Sequence, residues 1–408
     1  MSAQLSIGGV GALCCLLGAT ASAAAPRANK SDHELTIVPV AGGDSDVGIG
    51  GGYLAAFARL DPRLKPYLFR VEAAGSITFK PTPAGSWDVP YADDYLKLEA
   101  PHVIPNRLKF EVRLSYTREQ ILKFYGLGNA SRIPAGADPN AARFEHGRTH
   151  PTLSWLATYH VTPSVDLQWG MRYTQNWLSV PSEGQLADTL RNGSAVEREL
   201  LGSVRDHGTP QLTFGAAWDG RDNELNAEHG QYHSLNVDLA PAGTPGIPHQ
   251  WARVDAATRF YLPLVRSRLT FAFRVLGDLL FGDAPFYELP RQEDTYFGGG
   301  KGVRGVPAQR YWGKVKLLSN SELRSKLVAF DLWGEKNWLG VTAFFDAGRV
   351  WADYRAHPEL DGTGVGLKWG VGGGPRLLRG KSFVLRLDVA YSPDASPVGG
   401  YLTAGQVF

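Results

Sequence analysis

Beyond residue 30 the dominant pattern is alternation with a period of two. From Leu108 to Thr117, Leu108, Phe110, Val112, Leu114 and Tyr116 fall on one face, and Lys109, Glu111, Arg113, Ser115 and Thr117 on the other. From Val165 to Thr174, Val165, Leu167, Trp169, Met171 and Tyr173 oppose Asp166, Gln168, Gly170, Arg172 and Thr174. The segments 252–260, 268–275 and 383–391 repeat the pattern. A strand points successive side chains to opposite faces, so each segment has one oily and one polar side.

A water-soluble sandwich alternates in the same way. Three features favour a closed barrel in a lipid bilayer. The apolar faces are rich in Trp, Tyr and Phe, residues that settle near headgroups. The polar faces carry more charge than one solvated sheet needs. The connections also alternate in length. Short turns fall near 61–66, 103–106, 161–164, 219–230, 264–268, 331–336 and 377–381. Longer connections fall at 81–90, 120–148, 181–206, 240–249, 282–313, 352–362 and 394–398. With a first strand at Glu34–Val40 and a last at Tyr401–Phe408, the pattern predicts an all-β, closed antiparallel transmembrane barrel. It has about sixteen strands, with short turns on the periplasmic side.

The amino-terminal segment differs. An apolar stretch from Leu5 to Leu17 precedes Thr20-Ala21-Ser22-Ala23-Ala24-Ala25. This reads as a secretory signal, residues 1–25, removed after Ala23 or Ala25, although no Lys or Arg precedes the apolar core. Cys14 and Cys15 both lie within it, so residues 26–408 are expected to hold no disulfide and no thiolate. Those residues are expected to form a single barrel domain without a folded periplasmic domain. The 42 Lys and Arg nearly balance the 40 Asp and Glu, which gives no electrostatic case for nucleic acid.

Three motifs are more specific. Trp218-Asp219-Gly220-Arg221-Asp222-Asn223-Glu224-Leu225-Asn226, closing at Gly230, resembles the Arg-Asp-Asn hairpin of the bacterial surface antigen superfamily, the barrel of BamA and TamA. Phe297 to Gly305, which contains Val303-Arg304-Gly305, resembles its Val-Arg-Gly loop and is followed by Ser319–Arg324. Phe344-Phe345-Asp346-Ala347-Gly348 is similar to its Phe-x-Asp-x-Gly strand. Phe124–Asn129, a Gly-rich strand at Gly364–Gly374 and the terminal Phe408, a carboxy-terminal barrel signal, add to the resemblance. Val306 stands where an aromatic residue commonly follows Val-Arg-Gly, and the superfamily's periplasmic POTRA domains have no counterpart in the sequence.

The resemblance implies that the loop 282–313 folds into the lumen and that Arg304 meets Glu322 and Asp346. An enclosed guanidinium cannot shed its proton and needs carboxylate acceptors. Asp219, Arg221, Asp222 and Asn223 are expected to order a periplasmic turn.

No catalytic constellation emerges. The ten histidines pair with no serine on a shared face, Gly-x-Ser-x-Gly is absent, and His146 and His150 fall in an expected loop beside Glu145. No metal or cofactor is expected. The resemblance implies an outer-membrane protein that assists insertion or translocation of proteins, or of lipid. Its expected partners are outer-membrane lipid, unfolded outer-membrane or secreted clients, and a separate POTRA-type chain. A self-contained pore or a structural surface antigen is the alternative.

Overall fold

The computed structural model describes residues 32–408 except 45–46, 62–63, 82–84, 135, 140, 242–248, 267, 294, 333–334, 381–382 and 395–397. The signal segment with Cys14 and Cys15, most of the 240–249 connection and the middle of 394–398 lie outside the described residues.

The alternating segments form sixteen strands in one antiparallel sheet. They are β1 His33–Asp44, β2 Gly48–Asp61, β3 Leu64–Pro81, β4 Tyr91–Ile104, β5 Leu108–Lys123, β6 Glu145–Thr162, β7 Val165–Ser179 and β8 His207–Asp219. The second half comprises β9 Gly230–Ala240, β10 Trp251–Val265, β11 Leu269–Gly282, β12 Val315–Ser325, β13 Glu335–Trp351, β14 Lys368–Arg379, β15 Phe383–Tyr391 and β16 Gly399–Ala404. β12 is interrupted and continues along β13 as Val328–Leu332. Each strand pairs with the next, and β16 returns to β1 to close the sheet.

Long connections gather at one end of the barrel and short ones at the other, except that Asp44 turns tightly into Gly48 at the long-loop end. Closure satisfies backbone groups that an open sheet would leave at its edges, which is the requirement for crossing lipid.

The two faces are chemically opposite. Leu153, Trp155, Leu167, Trp169, Met171, Tyr173 and Phe214 are exposed on the outer face. Glu72, Asp93, Glu119, Arg148, Arg253, Asp278, Lys316 and Glu322 are buried on the inner face. This is the reverse of a water-soluble barrel and gives lipid an apolar band.

An apolar cap packs at the long-loop end. Helices α1 (Gln185–Asn192) and α2 (Ala195–Leu201) contribute Leu186, Leu200 and Leu201 to a cluster with Phe124, Phe286, Leu289 and Trp312. A capping box starts α2: Ser194 N donates to Glu197 Oε2 at 2.8 Å, and Glu197 N donates to Ser194 Oγ at 3.2 Å. These reciprocal bonds satisfy amides that the first helical turn leaves unpaired.

Three boundaries differ from the alternation pattern. The expected strand Gly364–Gly374 begins at Lys368, because the preceding glycines belong to the 352–367 loop. His146 and His150 lie in β6, not in a loop. The final strand ends at Ala404 rather than Phe408; Gly405 adopts φ +85° and the chain turns away from the sheet.

Closure is uneven. β1 pairs with β2 from His33 to Asp44, whereas among the described residues β1 and β16 share Gly43↔Leu402 and Asp44↔Tyr401. Among the described residues, the ladder between β1 and β16 does not extend to Glu34–Gly42. Hydrogen exchange of the purified barrel is therefore expected to show alternate amides of Glu34–Gly42 exchanging roughly tenfold or more faster than those of β6 and β7. Equal protection would show that another element covers that edge.

Candidate functional site

The connection from β11 to β12, residues 283–314, is held by its own backbone before any side chain is considered. Gly299 N donates to Val306 O at 2.8 Å and Val303 N to Phe297 O at 2.7 Å. These bonds make a compact turn with Arg304 at its tip. Phe297, Val303 and Val306 are fully buried against Leu276, Leu318 and Val350, inward residues of β11, β12 and β13. Val306 thus fills an apolar position without an aromatic ring.

Arg304 is fully enclosed. Its Nε and Nη2 donate to Asp346 Oδ2 and Oδ1 at 2.7 and 2.9 Å, a two-pronged bond along β13. Its Nη1 donates to Glu322 Oε1 on β12 at 2.6 Å and to Asp388 Oδ2 on β15 at 3.3 Å. Its backbone N donates to Asp346 Oδ2 at 3.1 Å, and its guanidinium lies over the Phe344 ring at 3.5 Å. Burial alone would lower the Arg304 pKa, but the charges of Asp346 and Glu322 outweigh it and raise the pKa above its ordinary value.

The carboxylates have further donors. Arg324 Nε reaches Glu322 Oε2 at 2.7 Å, Arg376 Nη1 reaches Asp388 Oδ1 at 2.6 Å, and Arg386 Nη1 reaches Asp388 Oδ2 at 3.1 Å. Asn320 Nδ2 donates to Asp346 Oδ1 at 2.8 Å. Four guanidinium groups therefore surround three carboxylates. A network this enclosed survives only because nearly every oxygen is met.

The last strand joins the same assembly. Gly305 N donates to Tyr401 Oη at 3.0 Å, and Arg386 Nη2 donates to Gly300 O at 3.2 Å. Gly370 on β14 lies directly beneath the loop, where a Cβ would meet Arg304 O at 1.8 Å.

Asp388, Arg324, Arg376 and Arg386 were not singled out from the sequence. Their signal was the alternation itself. In Phe383–Tyr391, Leu385, Leu387 and Val389 share a face, which leaves Arg386 and Asp388 on the other. Which inward charges meet depends on register and closure, and neither is local.

A second group lies at the short-turn end. Arg221 Nε and Nη2 donate to Asp219 Oδ1 and Oδ2 at 2.9 and 2.7 Å. Asn223 Oδ1 accepts from Leu225 N and Asn226 N at 2.8 and 2.9 Å, and Asp222 Oδ1 accepts from Glu228 N and His229 N at 2.9 and 3.1 Å. These side-chain bonds add to the backbone bonds across the hairpin, from Gly220 N to Gln231 O at 2.9 Å and from Asp222 N to His229 O at 3.2 Å. Gly230 closes the turn with φ +104°, where a Cβ would meet Gly220 O at 2.2 Å.

Phe408 lies beyond the sheet. It packs against Tyr261, its carbonyl accepts from Arg324 Nη2 at 3.1 Å, and Gln406 Nε2 donates to Asn226 Oδ1 at 2.8 Å. The chain end therefore bridges the hairpin and the arginine network. His146 is enclosed between Phe286 and Trp312, and His150 contacts Glu119 at 3.1 Å.

Replacing Arg304 with Ala should strand buried carboxylates and cost roughly 3–5 kcal/mol. The expected result is a lower temperature for loss of the compact barrel on heat-modifiability gels, together with protease cleavage within 283–314. Arg304→Lys should fall between, because an ammonium cannot form the two-pronged bond. Wild-type behaviour of Arg304→Ala would show that the carboxylates rearrange without cost. In the hairpin, Asp222→Ala should open residues 223–229 to protease while the barrel stays heat-modifiable. Unchanged resistance would assign the hairpin's order to other contacts.

The sequence matches the Omp85 superfamily domain over residues 94–397. Among solved structures, the fold is similar to BamA from Haemophilus ducreyi lacking POTRA domains 1–3. That match has a TM-score of 0.61 and 14% identity, and covers 92% of this chain and 70% of that chain. It is also similar to CdiB from Escherichia coli, with a TM-score of 0.55 and 14% identity, covering 93% of this chain and 64% of that one. This chain is thus shorter than both structures, and spans less than two thirds of the CdiB chain. No curated protein matches the sequence. With a family match across most of its length and an inside-out antiparallel barrel, the chain belongs to the Omp85 superfamily of outer-membrane β-barrel proteins.

Proposed function

We propose that this barrel assists the insertion or translocation of polypeptides at the outer membrane of a Gram-negative bacterium. It does so by presenting the edge of β1 when the β1–β16 seam parts. The observation that carries this reading is the contrast at the seam: two residue pairs join β1 to β16, while β1 pairs with β2 along its whole length. An unpaired edge offers backbone donors and acceptors in register for another strand, the chemistry of strand addition.

In this reading the long loops face outward and the short turns face the periplasm. Residues 1–25 act as the export signal. Loop 283–314 occupies the lumen, with Arg304 as its fastening. The clients are unfolded outer-membrane or secreted chains, and a separate periplasmic chain delivers them. The superfamily match supports the class of activity. The geometry supports the route.

The test uses purified barrel in liposomes and an unrelated, urea-unfolded outer-membrane protein. The barrel is expected to speed folding of the client several-fold. A photoreactive residue at Ile37, exposed on β1, is expected to capture the client, whereas one at Leu153 on β6, distant in the strand order, is not. No acceleration, or equal capture at both positions, would overturn the proposal.

A further inference from the structure

A cavity of about 440 Å³ opens at the long-loop end, separate from the Arg304 network. Its walls come from four connections and one strand end: residues 129–133, Arg310 and Tyr311, Asp361 with Gly362, Gly364 and Gly366, Asp394, and Lys368 at the start of β14. The walls are tied together. Ala130 N donates to Leu360 O at 2.8 Å, and Asn129 Nδ2 donates to Gly366 O at 2.7 Å. The space is therefore built before any ligand arrives.

Its charges are not balanced from within. Arg310 is 5% exposed, yet its guanidinium bonds only to Ser131, through Nη1 to Oγ at 2.8 Å and Nη2 to the carbonyl at 2.6 Å. Among the described residues no carboxylate pairs with it; the faces of Tyr125 and Tyr311 lie at 5.4 and 4.5 Å. A buried cation ordinarily has an anionic partner. Arg132 is exposed on the same wall and, among the described residues, makes no hydrogen bond or ion pair.

The two lining carboxylates are committed elsewhere. Asp361 accepts from Ala352 N at 2.7 Å and His357 N at 3.4 Å. Asp394 accepts from Tyr311 Oη at 2.7 Å and meets Lys368 only at 3.7 Å.

We infer that this cavity binds the phosphate group of a ligand, with Arg310 as the buried anchor and Arg132 and Lys368 as the rim. Guanidinium groups suit phosphate oxygens in geometry and charge. The volume lies within the usual range of small-molecule pockets, roughly 300–1,000 Å³, so it admits a phosphorylated sugar as well as the bare ion. Such a group could belong to a soluble phosphate ester or to the headgroup of an outer-leaflet glycolipid. The inference does not depend on client insertion.

Calorimetric titration of the detergent-solubilised barrel with inorganic phosphate is expected to show saturable binding. Arg310→Gln should weaken it about tenfold or more, and Arg132→Gln about threefold, as a rim charge does. The barrel is then placed in phosphatidylcholine vesicles with or without diphosphoryl lipid A, and hydrogen exchange of 129–133 and 362–368 is followed. Protection by lipid A that excess phosphate reverses assigns the group to a glycolipid headgroup. Protection by inorganic phosphate alone assigns it to a soluble ester. No saturable binding, or unchanged affinity in a heat-modifiable Arg310→Gln barrel, overturns the site. Should Arg310→Gln fail to fold, unchanged affinity of Arg132→Gln, whose side chain is exposed, overturns it instead.

Discussion

A guanidinium that leaves water inside a protein keeps its charge, because no accessible pH removes its proton. Arg304 is that group here, and much of the architecture follows from meeting its demand for acceptors. Its carboxylate partners must come from several strands at once, since no single strand offers enough inward oxygens at one height. Asp346, Glu322 and Asp388 therefore come from β13, β12 and β15. Glu322 meets Arg324 as well, Asp388 meets Arg376 and Arg386, and Asp346 accepts from the Asn320 amide. Removing Arg304 leaves Asp346 buried with the neutral Asn320 amide and takes one donor each from Glu322 and Asp388, so the network tolerates that loss poorly. β14, which lies between β13 and β15, contributes Gly370 because the Arg304 carbonyl occupies the place of a side chain.

The network also compensates for a defect in the sheet. Two residue pairs are a thin closure for a barrel, and β16 spans only Gly399–Ala404. The loop reaches that strand by another route, through Gly305 to the Tyr401 hydroxyl, while Gly300 receives Arg386 of β15. Side chains of β15 and β16 bonded to the loop backbone thus hold those strands in place where backbone pairing with β1 does not. At the opposite end, Phe408 and Gln406 leave the sheet to dock on Tyr261 and Asn226. The carboxy-terminal hairpin is anchored to the interior at both ends. Among the described residues, the β16-facing edge of β1 from Glu34 to Gly42 shows no such anchor, so the mechanical asymmetry of the seam lies on the β1 side.

How much of this the sequence revealed depends on whether the cause is local. Period-two alternation with aromatic outer faces is local, so the strands, their inside-out chemistry and the short-turn end could be read directly. The three motifs pointed to the superfamily, because each is a contiguous block of residues that can be compared without knowing the register. What escaped is set by register and by chain irregularity. Asp388 could be placed on an inward face, but only the pairing of β15 with its neighbours brings it to Arg304. The last strand ends early because Gly405 takes φ +85°, a conformation that alternation cannot encode. His146 and His150 lie in β6 because its ladder with β5 continues past Pro151 to Glu145, and sequence alternation does not show how far a ladder runs.

The same division between local and assembled signals separates the two proposals. The strand edge is a property of one element and of what fails to pair with it. The phosphate cavity is a property of four chain segments brought together, and its unmatched charge became visible only after the partners of Arg310 could be counted. Arg304 and Arg310 stand six positions apart in one loop, and both are almost fully buried. Arg304 is met by carboxylates of its own chain and serves to fasten the loop. Arg310 is met by a hydroxyl, a carbonyl and two ring faces, none of which carries a negative charge. A loop that needed only fastening would gain nothing from the second buried cation. A cation left without an acid beside an open cavity leaves an external anion as its counter-charge.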